Sequence, residues 1–143
     1  SHPTSERLIS VLRPTVSHIA DALGMEEGQQ VIHLRTLRRV NGVPVCVIDH
    51  FLPDLSWWST LQNFTSGSLH GYIQQHLGRE LSRTQTRISA RRAQAKESRL
   101  LEIATHAPLM CVRTLNHCEG QSQPAEYSVS LTRADMIELT MEH

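Results

Sequence analysis

VIHLRTLRRVNGVPVCVIDHFL, residues 31–52, decides the fold. Its first ten residues are rich in β-branched and apolar side chains, which suit a pleated, half-buried surface. Asn41-Gly42 follows, the strongest short-range signal for a two-residue hairpin, because both residues tolerate positive φ. Residues 44–52 (PVCVIDHFL) then read as the returning strand. An antiparallel pair therefore lies at the centre of the reading.

Working outward on the N-terminal side, residues 6–13 (ERLISVLR) alternate weakly and predict a strand. Pro14 suits the first turn of a helix. Val16, Ile19, Ala20 and Leu23 recur at helical spacing, and Gly24 is a good stop. On the C-terminal side, residues 55–64 predict a short helix carrying Trp57 and Trp58. GSLHGYIQQHLG, residues 67–78, predicts another, with Ser68 as N-cap, Leu69, Tyr72, Ile73 and Leu77 as the apolar face, and Gly78 as the stop. Residues 79–92 read as a long polar strand and 94–104 as a helix. Residues 108–118 and 125–133 read as strands joined by a turn at Glu119-Gly120.

The segment Ile9–Val45 is similar to Ile88–Ala125. Leu34-Arg35-Thr36-Leu37 aligns with Val112-Arg113-Thr114-Leu115, and Gly42 with Gly120. Each segment reads strand, helix, strand, tight turn, strand. Two such units predict an α+β fold: one mostly antiparallel sheet with helices packed on one face.

Composition bounds the function. The length of 143 residues suits one domain, and 39% hydrophobic content is enough for one core. Acidic and basic residues balance at 14 each, without the basic excess of a DNA-binding domain. No apolar run of membrane-spanning length and no signal-peptide pattern occur, so no membrane association is expected. Cys46, Cys111 and Cys118 are odd in number and not in CxxC spacing, which points to a reducing cytoplasm. The chain begins at Ser1, in a polar segment, as a fragment or a processed start would.

Four blocks carry a family resemblance: TLRRVNGVPVCVIDHFLP (36–53), GSLHGYIQQHLG (67–78), AKESRLLEI (95–103) and PAEYSVSLTRAD (124–135). In order and spacing they resemble the UTRA effector domain of the HutC group of GntR-type transcriptional regulators. The resemblance covers nearly the whole chain and implies a chorismate-lyase-like fold. It also implies a homodimer, and DNA contact only through an N-terminal winged helix-turn-helix outside this chain. The implied partner is a small anionic effector, a phosphonate or a phosphorylated metabolite. Thr36 and Ile48 stand where sugar-phosphate-sensing relatives carry arginine and glutamate, which argues against an amino-sugar ligand.

Residue by residue, Arg38 falls on the family's anion-binding arginine and Ser68 on the serine of its GSLY-type block. Chemistry supports the pairing. A helix N-terminus offers unpaired N–H groups and a favourable dipole, and arginine offers a planar fork matched to oxyanions. Taken alone, Ser68 reads equally well as a plain cap and Arg38 as a solvated strand residue. His70 replaces the tyrosine of the GSLY block, one turn inside the helix. His50 precedes the end of its strand. Each histidine alone is more commonly a surface or internally bonded side chain. Glu126 matches the acidic residue of the PxEY block and is expected to meet a ligand hydroxyl or amine, or to pair with Arg38. Tyr127 reads as core. Arg133 and Asp135 match the terminal R-x-D and read as an ion pair. Arg79, Arg83, Arg87 and Arg91 lie four apart on a strand, where odd positions share one face. Most are expected to be solvated, with Arg91 or Arg92, nearest the end, reaching the pocket and Arg91 taken as the ligand residue.

Nine histidines raise the question of a metal, but no HxxxH or HExxH spacing occurs, and adjacent His117 and Cys118 point to opposite faces of a strand. No metal site is expected. A chorismate-lyase-like enzyme is the rival reading of such a fold. The sequence offers no nucleophile–base pair and no cofactor loop, so neither catalytic residues nor a cofactor are expected.

Overall fold

The computed structural model describes every residue except Ser1, Leu139, Met141 and His143. Six strands form one antiparallel sheet: β1 (Pro3–Pro14), β2 (Gln30–Val40), β3 (Val43–Leu52), β4 (Leu81–Arg92), β5 (Pro108–Cys118) and β6 (Glu126–Arg133). Their spatial order is β1-β2-β3-β6-β5-β4. The internal similarity is therefore a real architectural repeat. Each half runs strand, helix, strand, strand, and the halves join where β3 pairs with β6.

The β2–β3 turn behaves as its sequence dictates. Asn41 and Gly42 both adopt positive φ, 52° and 79°, as a hairpin turn that matches the strand twist requires. The first helix, α1 (Ser17–Leu23), ends on left-handed Gly24. It packs on β6 of the other half, while α4 (Ala95–Leu101) packs on β3. Each helix thus ties its own half to the central strand of the other.

The helices do not all lie on one face. α1 and α4 cover the face bearing Leu37, Val47, Cys111 and Leu131, which the strand register aligns in one row. The opposite face is covered at one end by α2 (Trp58–Leu61) and α3 (Leu69–Leu77). There Trp57, Leu61, Phe64, Leu69 and Ile73 pack on Ile32, Leu34 and Leu52. The reason lies in β2, which is buried on both sides: Val31 and Leu37 face α1 and α4, whereas Ile32 and Leu34 face α3. A strand with two apolar faces must be covered twice. Each fully buried leucine, isoleucine or phenylalanine here contributes on the order of 1.5–3 kcal/mol.

The segment 55–64 is not one helix. Asp54 caps a single 3-10 turn, Leu55–Trp57, before the short α2. The helix expected over 94–104 stops at Leu101, because Glu102 turns left-handed at φ 55°. In β4 a bulge between Arg83 and Gln85 breaks the alternation. Arg83 consequently sits on the α3 face, opposite Asn116, whereas Arg87 and Arg91 sit on the α1/α4 face. The simple rule that odd positions share a face fails at that extra residue.

Candidate functional site

On the α3 face two adjoining cavities of about 350 and 320 Å³ share Ile48, His50, Ser68 and Leu69 as walls. Arg38 and Thr36 from β2 and Ser5 from β1 enclose the first. His70, Arg83, Asn116, Glu126 and Ser128 enclose the second.

The first cavity is built around the start of α3. Ser68 caps this nine-residue helix, its Oγ accepting from the Gly71 N–H at 3.0 Å. Its own hydroxyl hydrogen stays available to donate. Among the described residues no acceptor takes the N–H of Leu69 or His70. Arg38 lies on the strand beneath, exposed, with no carboxylate partner among the described residues. Unpaired N–H groups at a helix start and a free guanidinium in one cavity form an anion-binding arrangement.

The second cavity is built around Glu126, 1% exposed. His50 Nδ1 lies 2.7 Å from Glu126 Oε2 and His70 Nε2 lies 2.6 Å from Oε1. Asn116 donates to Oε1 at 2.9 Å. On its far side His50 Nε2 meets Thr36 Oγ1 at 3.1 Å, which links the network to the first cavity. Burial alone would push the Glu126 carboxyl up. The hydrogen bonds and charges of His50 and His70 outweigh it and hold the carboxyl down at about 2. The hydrogen bond to Glu126 in turn raises the pKa of His70, against burial and the nearby charge of Arg83. A buried carboxylate with three donors carries its charge without a desolvated orphan.

The structure thus brings Arg38, Ser68, His50, His70 and Glu126 around two connected cavities. Glu126 does not pair with Arg38; the two histidines and Asn116 occupy it instead. Arg91 is not brought there. It lies on the other face of the sheet, and its guanidinium donates to Glu97 at 2.8 Å, because the β4 bulge has set the parity of the strand beyond it. Arg133 pairs with Asp135, at 2.8 Å, and Tyr127 is buried. Sequence reasoning missed Arg83, Asn116 and Ser128 as cavity residues. Nothing local marks them; Arg83 is masked by the bulge, and the other two become neighbours only when β5 pairs with β6. No helix among the described residues is long and apolar enough to cross a membrane.

Comparison with known proteins agrees with this fold. The UTRA domain family matches residues 1–138. The chain is 68% identical over 143 residues to an Escherichia coli (strain K12) protein named "Probable transcriptional regulator PhnF". That alignment covers all of this chain but 59% of the relative, so the chain spans little more than half of the longer protein's length. A solved structure, the PhnF C-terminal domain, superposes with a TM-score of 0.93 at 68% identity, over 100% of this chain and 90% of that one. The effector domain of PhnF from Mycobacterium smegmatis shares the fold at a TM-score of 0.86 and 22% identity, over 99% of this chain and 88% of that one. The Escherichia coli relative is named as a transcriptional regulator, not as an enzyme. With the family matching all but the last residues, this chain belongs to the UTRA domain family.

Proposed function

We propose that this chain is the ligand-sensing domain of a longer transcriptional regulator. In this reading it binds a small phosphonate or phosphorylated anion between Arg38 and the start of α3. One observation carries the proposal: the carboxylate-free Arg38 and the start of α3, with the Ser68 hydroxyl and the unpaired N–H of Leu69, line one cavity of about 350 Å³. A tetrahedral oxyanion would take the guanidinium fork on one side and the helix N–H groups and Ser68 hydroxyl on the other. The remainder of the ligand would extend past Ile48 toward His70 and Glu126. Ile48 offers that part an apolar wall where sugar-sensing relatives offer a carboxylate, which favours a small phosphonate over an amino sugar.

The DNA-reading function would belong to a domain outside this chain. Ligand binding would act on it through different affinities for two arrangements of a dimer. The edge strand β4 is exposed along nearly its whole length, with Ile88 at 63% exposure, and is the surface we assign to pairing with a second copy.

Calorimetry with methylphosphonate tests the site. A charge-assisted hydrogen bond is worth about 1.5–3 kcal/mol, so Arg38→Ala should bind about ten- to a hundredfold more weakly while remaining folded. Unchanged affinity in the folded variant would overturn the assignment.

A further inference from the structure

A cavity of about 800 Å³ lies on the opposite side of the sheet, between α1 and the strands β4, β5 and β6. Its apolar floor includes Leu115, Tyr127 and Val129, and α1 contributes Asp21 to the wall. Three arginines line it, Arg87, Arg91 and Arg113, and the strand register places two of them directly across from each other: Arg87 on β4 and Arg113 on β5. Like charges in that relation destabilise a sheet. Among the described residues no carboxylate forms an ion pair with either one.

The internal repeat gives this pair a built-in comparison. Arg113 is the counterpart of Arg35 in the first half. Arg35 sits across from Asp49, and its Nε donates to that carboxylate at 2.8 Å with the arginine side chain only 13% exposed. Arg113 sits across from Val129. One half of the molecule satisfies its arginine internally and closes over it. The other half has an apolar residue where the acid stood, a second arginine on the edge strand, and an open cavity.

We propose that this cavity is a second anion site. It would take one anionic group attached to a flat apolar body, such as an aromatic carboxylate. The charged end would lie between Arg87 and Arg113, and the body on Leu115, Tyr127 and Val129. Arg91 also lines the cavity but is already held by Glu97, so the pair at 87 and 113 carries the recognition. The site is on the other face of the sheet from Arg38 and Ser68 and does not depend on the effector assignment.

The test uses the isotope-labelled chain, titrated with benzoate and followed by its backbone amide signals. Benzoate should shift the amides of Arg113, Leu115 and Tyr127 with millimolar affinity. In the double variant Arg87→Gln, Arg113→Gln those shifts should require at least tenfold more benzoate, with the rest of the spectrum preserved. Inorganic phosphate, which has the charge without the apolar body, should bind there at least tenfold more weakly. The amides of Leu69 and His70 report the effector cavity separately, so failure at either site is distinguishable. Absence of shifts at about 10 mM benzoate, a concentration that detects binding as weak as about 3 kcal/mol, would overturn the proposal. Shifts unchanged in the double variant would also overturn it. A variant that alters only the oligomeric state, with no benzoate response in the parent, would assign the arginine pair to an interface between copies instead.

Discussion

Replacing Glu126 by glutamine keeps the side chain's shape and removes its charge. In the parent, the 1% exposed carboxylate accepts from His50, His70 and Asn116 at 2.7, 2.6 and 2.9 Å. Glutamine retains one acceptor oxygen and turns an NH₂ group toward one of those donors. At least one buried polar group therefore loses its partner, at about 1–3 kcal/mol, and the remaining bonds lose their charge assistance. His70 is partly exposed, so solvent discounts its share. The sum is a loss of about 2–4 kcal/mol near neutral pH, below the 3–5 kcal/mol of removing one partner of a buried pair outright. The pH profile gives a second signature. The pKa of Glu126 is lowered on folding, so its stabilisation is present above the ordinary value of 4.5 and is lost as pH falls toward about 2. The pKa of His70 is raised, so its contribution is complete below 6.5 and is lost as pH rises through the folded-state value. Glu126→Gln should remove both slopes. Urea denaturation of parent and variant between pH 3 and 9 measures this. A variant within about 0.5 kcal/mol of the parent at pH 6, with the same pH profile, would refute the reasoning.

Two further substitutions probe the elements that position the site. Ser68→Ala should cost about 1 kcal/mol by uncapping α3 at the Gly71 N–H, whereas Ser68→Gly should cost only a few tenths; equal stability of alanine variant and parent in thermal melts would show that the cap is not used. Gly42→Ala should destabilise by at least about 1 kcal/mol, since φ of 79° in the hairpin turn strains any residue with a Cβ; an unchanged urea midpoint would contradict the turn assignment.

What could be read from the sequence was local. Asn41-Gly42 announced the central hairpin, Ser68 and Gly78 bracketed α3, and the strand Pro108–Cys118 fell where its apolar run begins and ends. The matched halves foretold two units, though not that each helix packs on the other unit's strand. What could not be read was non-local. The bond between His50 and Glu126 spans 76 residues and that between His70 and Glu126 spans 56, so no spacing rule relates them. A single extra residue near Thr84 decided which arginines face which cavity, because a one-residue shift exchanges the two faces of a strand. The second covering layer over Ile32 and Leu34 was hidden for a related reason: a strand apolar on both sides shows no alternation.

The central claim is that an oxyanion sits between Arg38 and the start of α3. A crystal of the chain grown with saturating methylphosphonate tests it most directly. The expected result is tetrahedral density in the cavity shared by Arg38 and Ser68, with oxygens about 2.7–3.1 Å from the Arg38 guanidinium and from the N–H groups of Leu69 or His70. Density confined to another part of the sheet, with that cavity holding only water, would contradict it.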